Sequence, residues 1–131
     1  MTASAPRALV VDDSRAMRTI LARILGDIGF AVAEARHGRE ALAHLNAHPD
    51  TILALVDWNM PEMNGLDLIT ALRQDPRFAG LRVVMVTSET EMTRVASALA
   101  AGADEYVMKP FTRPALEDKL HALGLVPREE R

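Results

Sequence analysis

Five short apolar runs alternate with segments of helical period along this chain, and that alternation limits the available folds more than any other feature. The runs are Ala8 to Val11, Phe30 to Ala35, Ile52 to Val56, Arg82 to Thr87 and Glu105 to Met108. After the first, Met17, Ile20, Leu21, Ile24, Leu25 and Ile28 recur at steps of three and four, which marks an amphipathic helix. Ser14 is its expected N-cap and Gly29 its expected stop. A second helix is expected over Gly38 to Ala47, with Ala41, Leu42 and Leu45 on one face and Pro49 closing it. Leu66, Ile69 and Leu72 mark a third, ended by Asp75-Pro76. Met92, Val95, Ala96 and Leu99 stripe a fourth, ended by Gly102. Thr112 caps a fifth, with Pro114 in its first turn and Leu116, Leu120 and Leu123 facing inward. Short strands joined by helices imply parallel pairing through right-handed crossovers. The expected architecture is therefore α/β: a doubly wound, five-stranded parallel sheet, (βα)5, with helices on both faces.

The third run carries the chemistry. An unbroken apolar stretch this short, closed by turn formers, reads as a strand buried on both faces, and it runs directly into Asp57. Open parallel sheets bind ligands at the carboxyl ends of their strands. Asp12 and Asp13 end the first strand, Thr87 ends the fourth and Lys109 follows the fifth, so all share one edge with Asp57. If the first and third strands are neighbours, three carboxylates converge there and repel one another unless a cation joins them. Oxygen donors without Cys or a nearby His favour Mg²⁺ over Zn²⁺. A hard cation, a nucleophilic carboxylate, a Lys and a hydroxyl together describe a phosphoryl-transfer site, with Asp57 as acceptor.

Each of these residues has a plainer reading. Asp12-Asp13 could cap the helix that follows, Asp57 could be a turn residue, and Lys109 an ordinary surface Lys. Tyr106 could be a half-buried aromatic, and Trp58 merely exposed beside the site. His37, His44, His48 and His121 are expected to be solvated, with no metal role.

Composition narrows the partners. A length of 131 residues suits one domain, with its core over about 7–125 and a solvated tail at 126–131. The net charge of −3 argues against non-specific nucleic-acid binding. The absence of Cys excludes a disulfide framework and a thiol nucleophile. No signal peptide and no run of about 20 apolar residues is evident, so a cytoplasmic location without membrane contact is expected.

Asp12-Asp13, Asp57 within Asp-x-x-Met-Pro-x-Met-x-Gly, Val86-Thr87-Ser88 and Lys109-Pro110-Phe111 together resemble the receiver domain of two-component response regulators. The likeness spans roughly Arg7 to Leu125, and is greatest to the single-domain chemotaxis type, the CheY type, on account of Trp58, Asn59, Glu89 and Tyr106. The resemblance implies the flavodoxin-like strand order 2-1-3-4-5 and a histidine kinase as phosphodonor to Asp57. It implies Mg²⁺ held by Asp13, Asp57 and the backbone carbonyl of Asn59, with Asp12 acting mostly through water. Lys109 would pair with the phosphoryl group, beside a cis Lys109-Pro110 bond. Thr87 would move toward a phosphoryl oxygen and let Tyr106 change rotamer. Asn59 and Glu89 would flank the attacking water and modulate dephosphorylation. A monomer is expected, signalling through the fourth helix, fifth strand and fifth helix to a partner, the flagellar motor switch.

Three competing functions fit less well. A phosphorelay intermediate passing its phosphoryl group to a histidine phosphotransfer protein shares every motif but not the neighbours of Asp57. An aspartyl phosphatase would want a carboxylate where Asn59 stands, so no enzyme of that kind is expected. A flavin or nucleotide carrier would open its first strand into a phosphate loop, where Asp12-Asp13 would instead repel phosphate.

Overall fold

The computed structural model describes residues 5–58, 60, 63–88 and 94–125. Their order is β1 (Arg7–Val11), α1 (Arg15–Ile28), β2 (Ala31–Ala35), α2 (Gly38–Ala47), β3 (Leu53–Asp57), α3 (Gly65–Arg73), a 3-10 turn (Pro76–Phe78), β4 (Arg82–Thr87), α4 (Val95–Ala101), β5 (Glu105–Met108) and α5 (Arg113–Ala122). The strands are all parallel, in the order β2-β1-β3-β4-β5. This is the doubly wound arrangement that the alternation of runs implied.

The two faces of the sheet follow from the period of two along each strand. Ala8, Val10, Leu53, Leu55, Val84 and Val86 pack against Leu21 and Leu25 of α1 and Leu116 and Leu120 of α5. Their neighbours Leu9, Val11, Ala54, Val56, Val83 and Met85 pack against Ala41 and Leu45 of α2, Leu68, Ile69 and Leu72 of α3, and Ala98 of α4. Every residue of β3 is buried, as befits the central strand of a sheet covered on both sides.

Helix boundaries obey their caps. Ser14 Oγ accepts from the Met17 N–H, Asn64 Oδ1 from Asp67 and Thr112 Oγ1 from Ala115. Asp75 ends α3's reach as expected, yet it also caps the 3-10 turn by accepting from the Arg77 N–H. His37 caps α2 through Nδ1, which accepts from the Glu40 N–H, so it is no idle surface residue. His44 and His48 stack with ring centroids 4.6 Å apart, and His121 buries its Nδ1.

Two stripes differ from their periodicity. In α1, Ile20 is half exposed, whereas Arg18 is buried and donates from Nη1 to the Asp12 carbonyl and from Nε to Glu34. In α4, Ala98 faces the core while Ala96 and Leu99 are exposed; Met92 lies outside the described residues. An Ala-rich helix carries a weak hydrophobic signal, and a small side chain suits its close approach to the sheet.

At the edge away from the carboxyl ends, Arg73 ties four segments together. Its guanidinium donates to the carbonyls of Phe78, Leu81 and Gly102 at 2.7, 2.8 and 2.9 Å, and to Asp104 at 3.0 Å. Asp104 also accepts from the Val83 N–H. Gly102 ends α4 at φ +122°, and a methyl there would lie 2.5 Å from Cγ of Arg73. An ammonium cannot address four acceptors in a fork. Arg73→Lys is therefore expected to lower unfolding free energy by about 2–3 kcal/mol, read as a drop in urea midpoint with little change in m-value.

Candidate functional site

Strand register gathers the polar residues. Val11 of β1 lies opposite Val56 of β3, so Asp12 and Asp57 leave the sheet side by side. Asp57 lies opposite Val86, with Thr87 next, and Thr87 lies opposite Met108, after which comes Lys109. The Lys109 N–H donates to the Thr87 carbonyl at 2.6 Å. Its side chain then crosses the sheet edge, and Nζ donates to Asp57 Oδ1 at 3.1 Å and lies 3.9 Å from Asp12 Oδ2. The Lys109–Pro110 peptide is cis.

Gly65 completes the wall behind the acceptor. Its N–H donates to the Trp58 carbonyl, and a Cβ there would meet the Asp57 carbonyl oxygen and Met85 Cε, each at 2.9 Å. The loop after β3 can return this closely only on a residue without a side chain. Trp58 is buried rather than exposed beside the site, and the Arg94 guanidinium at the head of α4 sits 5.6 Å from its ring centroid.

Asp12, Asp57 and Thr87 are each at most 5% exposed, whereas Asp13 faces solvent. One carboxylate oxygen from each of Asp12, Asp13 and Asp57 lies within 4.8 Å of the others. Asp12 Oδ1 accepts from the Ser14 N–H at 2.8 Å, which satisfies the capping role as well. Oδ2 of the same group is buried and has no hydrogen-bond partner among the described residues. Burial is the chief reason that the Asp12 carboxyl is raised above its ordinary 3.8, assisted by the charge of Asp13 and opposed by the Ser14 N–H and Lys109. Oxygen-only donors, crowded negative charge and one orphaned buried lone pair fit a hard divalent cation such as Mg²⁺. The Thr87 hydroxyl donates to the Ser88 carbonyl at 3.5 Å, a long and weak bond.

Four of the residues expected at one edge, Asp12, Asp13, Asp57 and Lys109, thus meet there, with Thr87 in register beside them. Tyr106 stands on β5, partly buried against the cluster beneath α2, α3 and α4. Asn59 and Glu89 lie outside the described residues. Two supports left no sequence signal. Arg18, which holds the Asp12 carbonyl, looks like a polar position within an amphipathic stripe, and Arg94 has no pattern linking it to Trp58.

A family model, the response regulator receiver domain, matches residues 8–121. The chain belongs to this family. Among curated relatives of this receiver, chemotaxis protein CheY1 of Helicobacter pylori is 46% identical over 118 residues, spanning 89% of this chain and 95% of that protein. A CheY homolog of Campylobacter jejuni is 43% identical over 115 residues, 87% of this chain and 88% of its own. The solved structure of CheY4 from Vibrio cholerae superposes with a TM-score of 0.84 at 31% identity, covering 92% of this chain and 99% of that one. These relatives place the receiver in the CheY chemotaxis type. No helix among the described residues is long and apolar enough to cross a membrane.

The buried Asp12 charge has a stability consequence. Its folded-state proton affinity exceeds that of the unfolded chain, so the native state holds more protons from pH 3.8 up to the raised value. Unfolding free energy of the metal-free receiver therefore falls as pH rises through that window. Asp12→Asn keeps the Ser14 hydrogen bond and removes the charge. It is expected to abolish that component of the fall and to raise stability near neutral pH by about 1–2 kcal/mol, measured by urea unfolding across pH with a chelator present.

Proposed function

We propose that this chain acts as a cytoplasmic receiver that accepts a phosphoryl group on Asp57 from a histidine kinase. It then alters the surface of α4, β5 and α5 for a protein partner at the flagellar motor switch. The observation that carries this reading is the placement of Asp57: a 5% exposed carboxylate at the end of the central strand, 3.1 Å from the Lys109 ammonium and within 4.8 Å of two further carboxylates. An isolated buried carboxylate with such neighbours makes little structural sense, whereas a phosphoryl acceptor needs all of them.

In the transfer, an Asp57 carboxylate oxygen forms a bond to phosphorus. The P–N bond to the donor imidazole breaks, and its electron pair stays with the nitrogen. Asp13 and Asp57 would hold Mg²⁺, with the Asn59 carbonyl and, through water, Asp12. The ion would neutralise charge on the phosphoryl oxygens. The product adds roughly −1.5 to −2 charge, so the Lys109 Nζ, now on Asp57 Oδ1, is positioned to serve a phosphoryl oxygen instead. The loosely bonded Thr87 hydroxyl is a second donor within the same edge. A shift of Thr87 opens space that the neighbouring strand's Tyr106 can fill, since Met85 and Tyr106 are register partners. The two curated relatives named above are chemotaxis proteins, which supports the motor switch as the destination. Asn59 and Glu89 would set the lifetime of the acyl phosphate.

Trp58 is the sole tryptophan and directly follows Asp57, so its emission reports on the site. Titrating Mg²⁺ is expected to change that emission in the wild type and not in Asp57→Asn. A small acyl phosphate with Mg²⁺ should label the wild type, read on a phosphate-affinity gel, and leave Asp57→Asn unlabelled. Lys109→Met should slow labelling by about 10²-fold, the usual loss of a preorganised charge donor. Equal labelling of Asp57→Asn would defeat the assignment.

A further inference from the structure

On the far side of the sheet edge from Asp57, three residues close on one another. Glu105 and Tyr106 are consecutive in β5, and Lys119 stands on the facing side of α5. Glu105 Oε1 accepts from the Tyr106 N–H at 2.9 Å and forms an ion pair with Lys119 Nζ at 3.2 Å. Held by that carboxylate, the ammonium lies 4.6 Å from the centroid of the Tyr106 ring. The cation is thus aimed by a group anchored to the backbone of the very residue whose ring it covers.

We propose that Lys119 is a positioning residue that holds the Tyr106 ring in the position it occupies here, packed beside the core cluster, and so weights the balance between its two positions. The inference rests on the reading of Asp57 as phospho-acceptor and Tyr106 as a two-state side chain. An ammonium over a ring face is attracted by the ring's quadrupole, more strongly where both are partly withdrawn from water. Lys119 and Glu105 side chains are 34% and 28% exposed, so the contact is partly desolvated. Rotation of Tyr106 about its first torsion carries the ring away, while the ion pair with Glu105 keeps the ammonium where it is. The contact therefore belongs to one of the two ring positions. Anything that favours the other position must overcome it, and losing it changes the affinity of a switching ligand by the same factor.

Tyr106 is the only tyrosine in the chain, so a fluorotyrosine label gives one ring resonance. The resonance and the affinity for beryllofluoride, a phosphoryl mimic, are measured with Mg²⁺ in the wild type, Lys119→Met, Lys119→Arg and Glu105→Gln. Lys119→Met is expected to move the unliganded resonance along the path between its free and beryllofluoride-bound positions and to change beryllofluoride affinity by about two- to fivefold. Lys119→Arg keeps a cation over the ring and should behave as the wild type. Glu105→Gln retains an acceptor for the Tyr106 N–H but frees the Lys, and should shift in the direction of Lys119→Met. An unchanged resonance and affinity in Lys119→Met, while the wild-type resonance still moves with beryllofluoride, overturns the proposal and leaves the acceptor reading intact. Failure of beryllofluoride to bind the wild type overturns the acceptor reading, and this inference with it.

Discussion

Crowded negative charge at the carboxyl edge of the sheet is the constraint around which this receiver is arranged. Asp12, Asp13 and Asp57 bring oxygens within 4.8 Å of one another, two of them in nearly dry surroundings. At such separations like charges repel strongly in a medium less polar than water. The protein offsets this with groups from α1 and from the segment after β5. Lys109 reaches across from β5, the Ser14 N–H at the start of α1 holds Asp12 Oδ1, and Arg18 grips the Asp12 carbonyl from below. The offset is incomplete, since Asp12 Oδ2 keeps no hydrogen-bond partner among the described residues. That residual deficit is what makes the site receptive to a cation.

The same economy of placement links the site to the surface. Lys109 and Thr87 share a backbone hydrogen bond, and Tyr106 lies on β5, the strand that leads directly into Lys109. Thr87 and Tyr106 thus lie on adjacent paired strands. Cations stand over both aromatic rings of this region, Arg94 over Trp58 and Lys119 over Tyr106. At the opposite end, Arg73 pins the close of α4 to α3 and β5 through four acceptors. Helix α4 is thereby tethered where it ends, with Arg94 at its head lying against the site.

Much of this was legible before any coordinates. The period of each segment, the caps at Ser14 and Thr112, and the apolar run into Asp57 follow from local chemistry, and the observed elements agree to within a residue or two. Misjudgements fell where a side chain's partner lies far along the chain. The role of Arg18 left no mark in the sequence, because nothing nearby announces Asp12 and Glu34 as its partners. Ala98 was passed over because Ala contributes little to a hydrophobic stripe, while Leu99 beside it contributes much and is exposed. The plainer reading of Trp58 as exposed fails because its burial depends on tertiary packing, and the return of Gly65 to its carbonyl is a three-dimensional event.

The sequence by itself determined the order of elements, the edge at which the acidic and basic residues would emerge, and the family whose motifs they match, because strand period and chain direction settle those matters locally. The tertiary structure alone decided the separations that matter for chemistry: how close three carboxylates approach, that Asp12 Oδ2 has no hydrogen-bond partner among the described residues, and which cations lie over Trp58 and Tyr106. Those are properties of strand register and helix seating between residues dozens of positions apart, and no local pattern encodes an ångström-scale distance across a sheet.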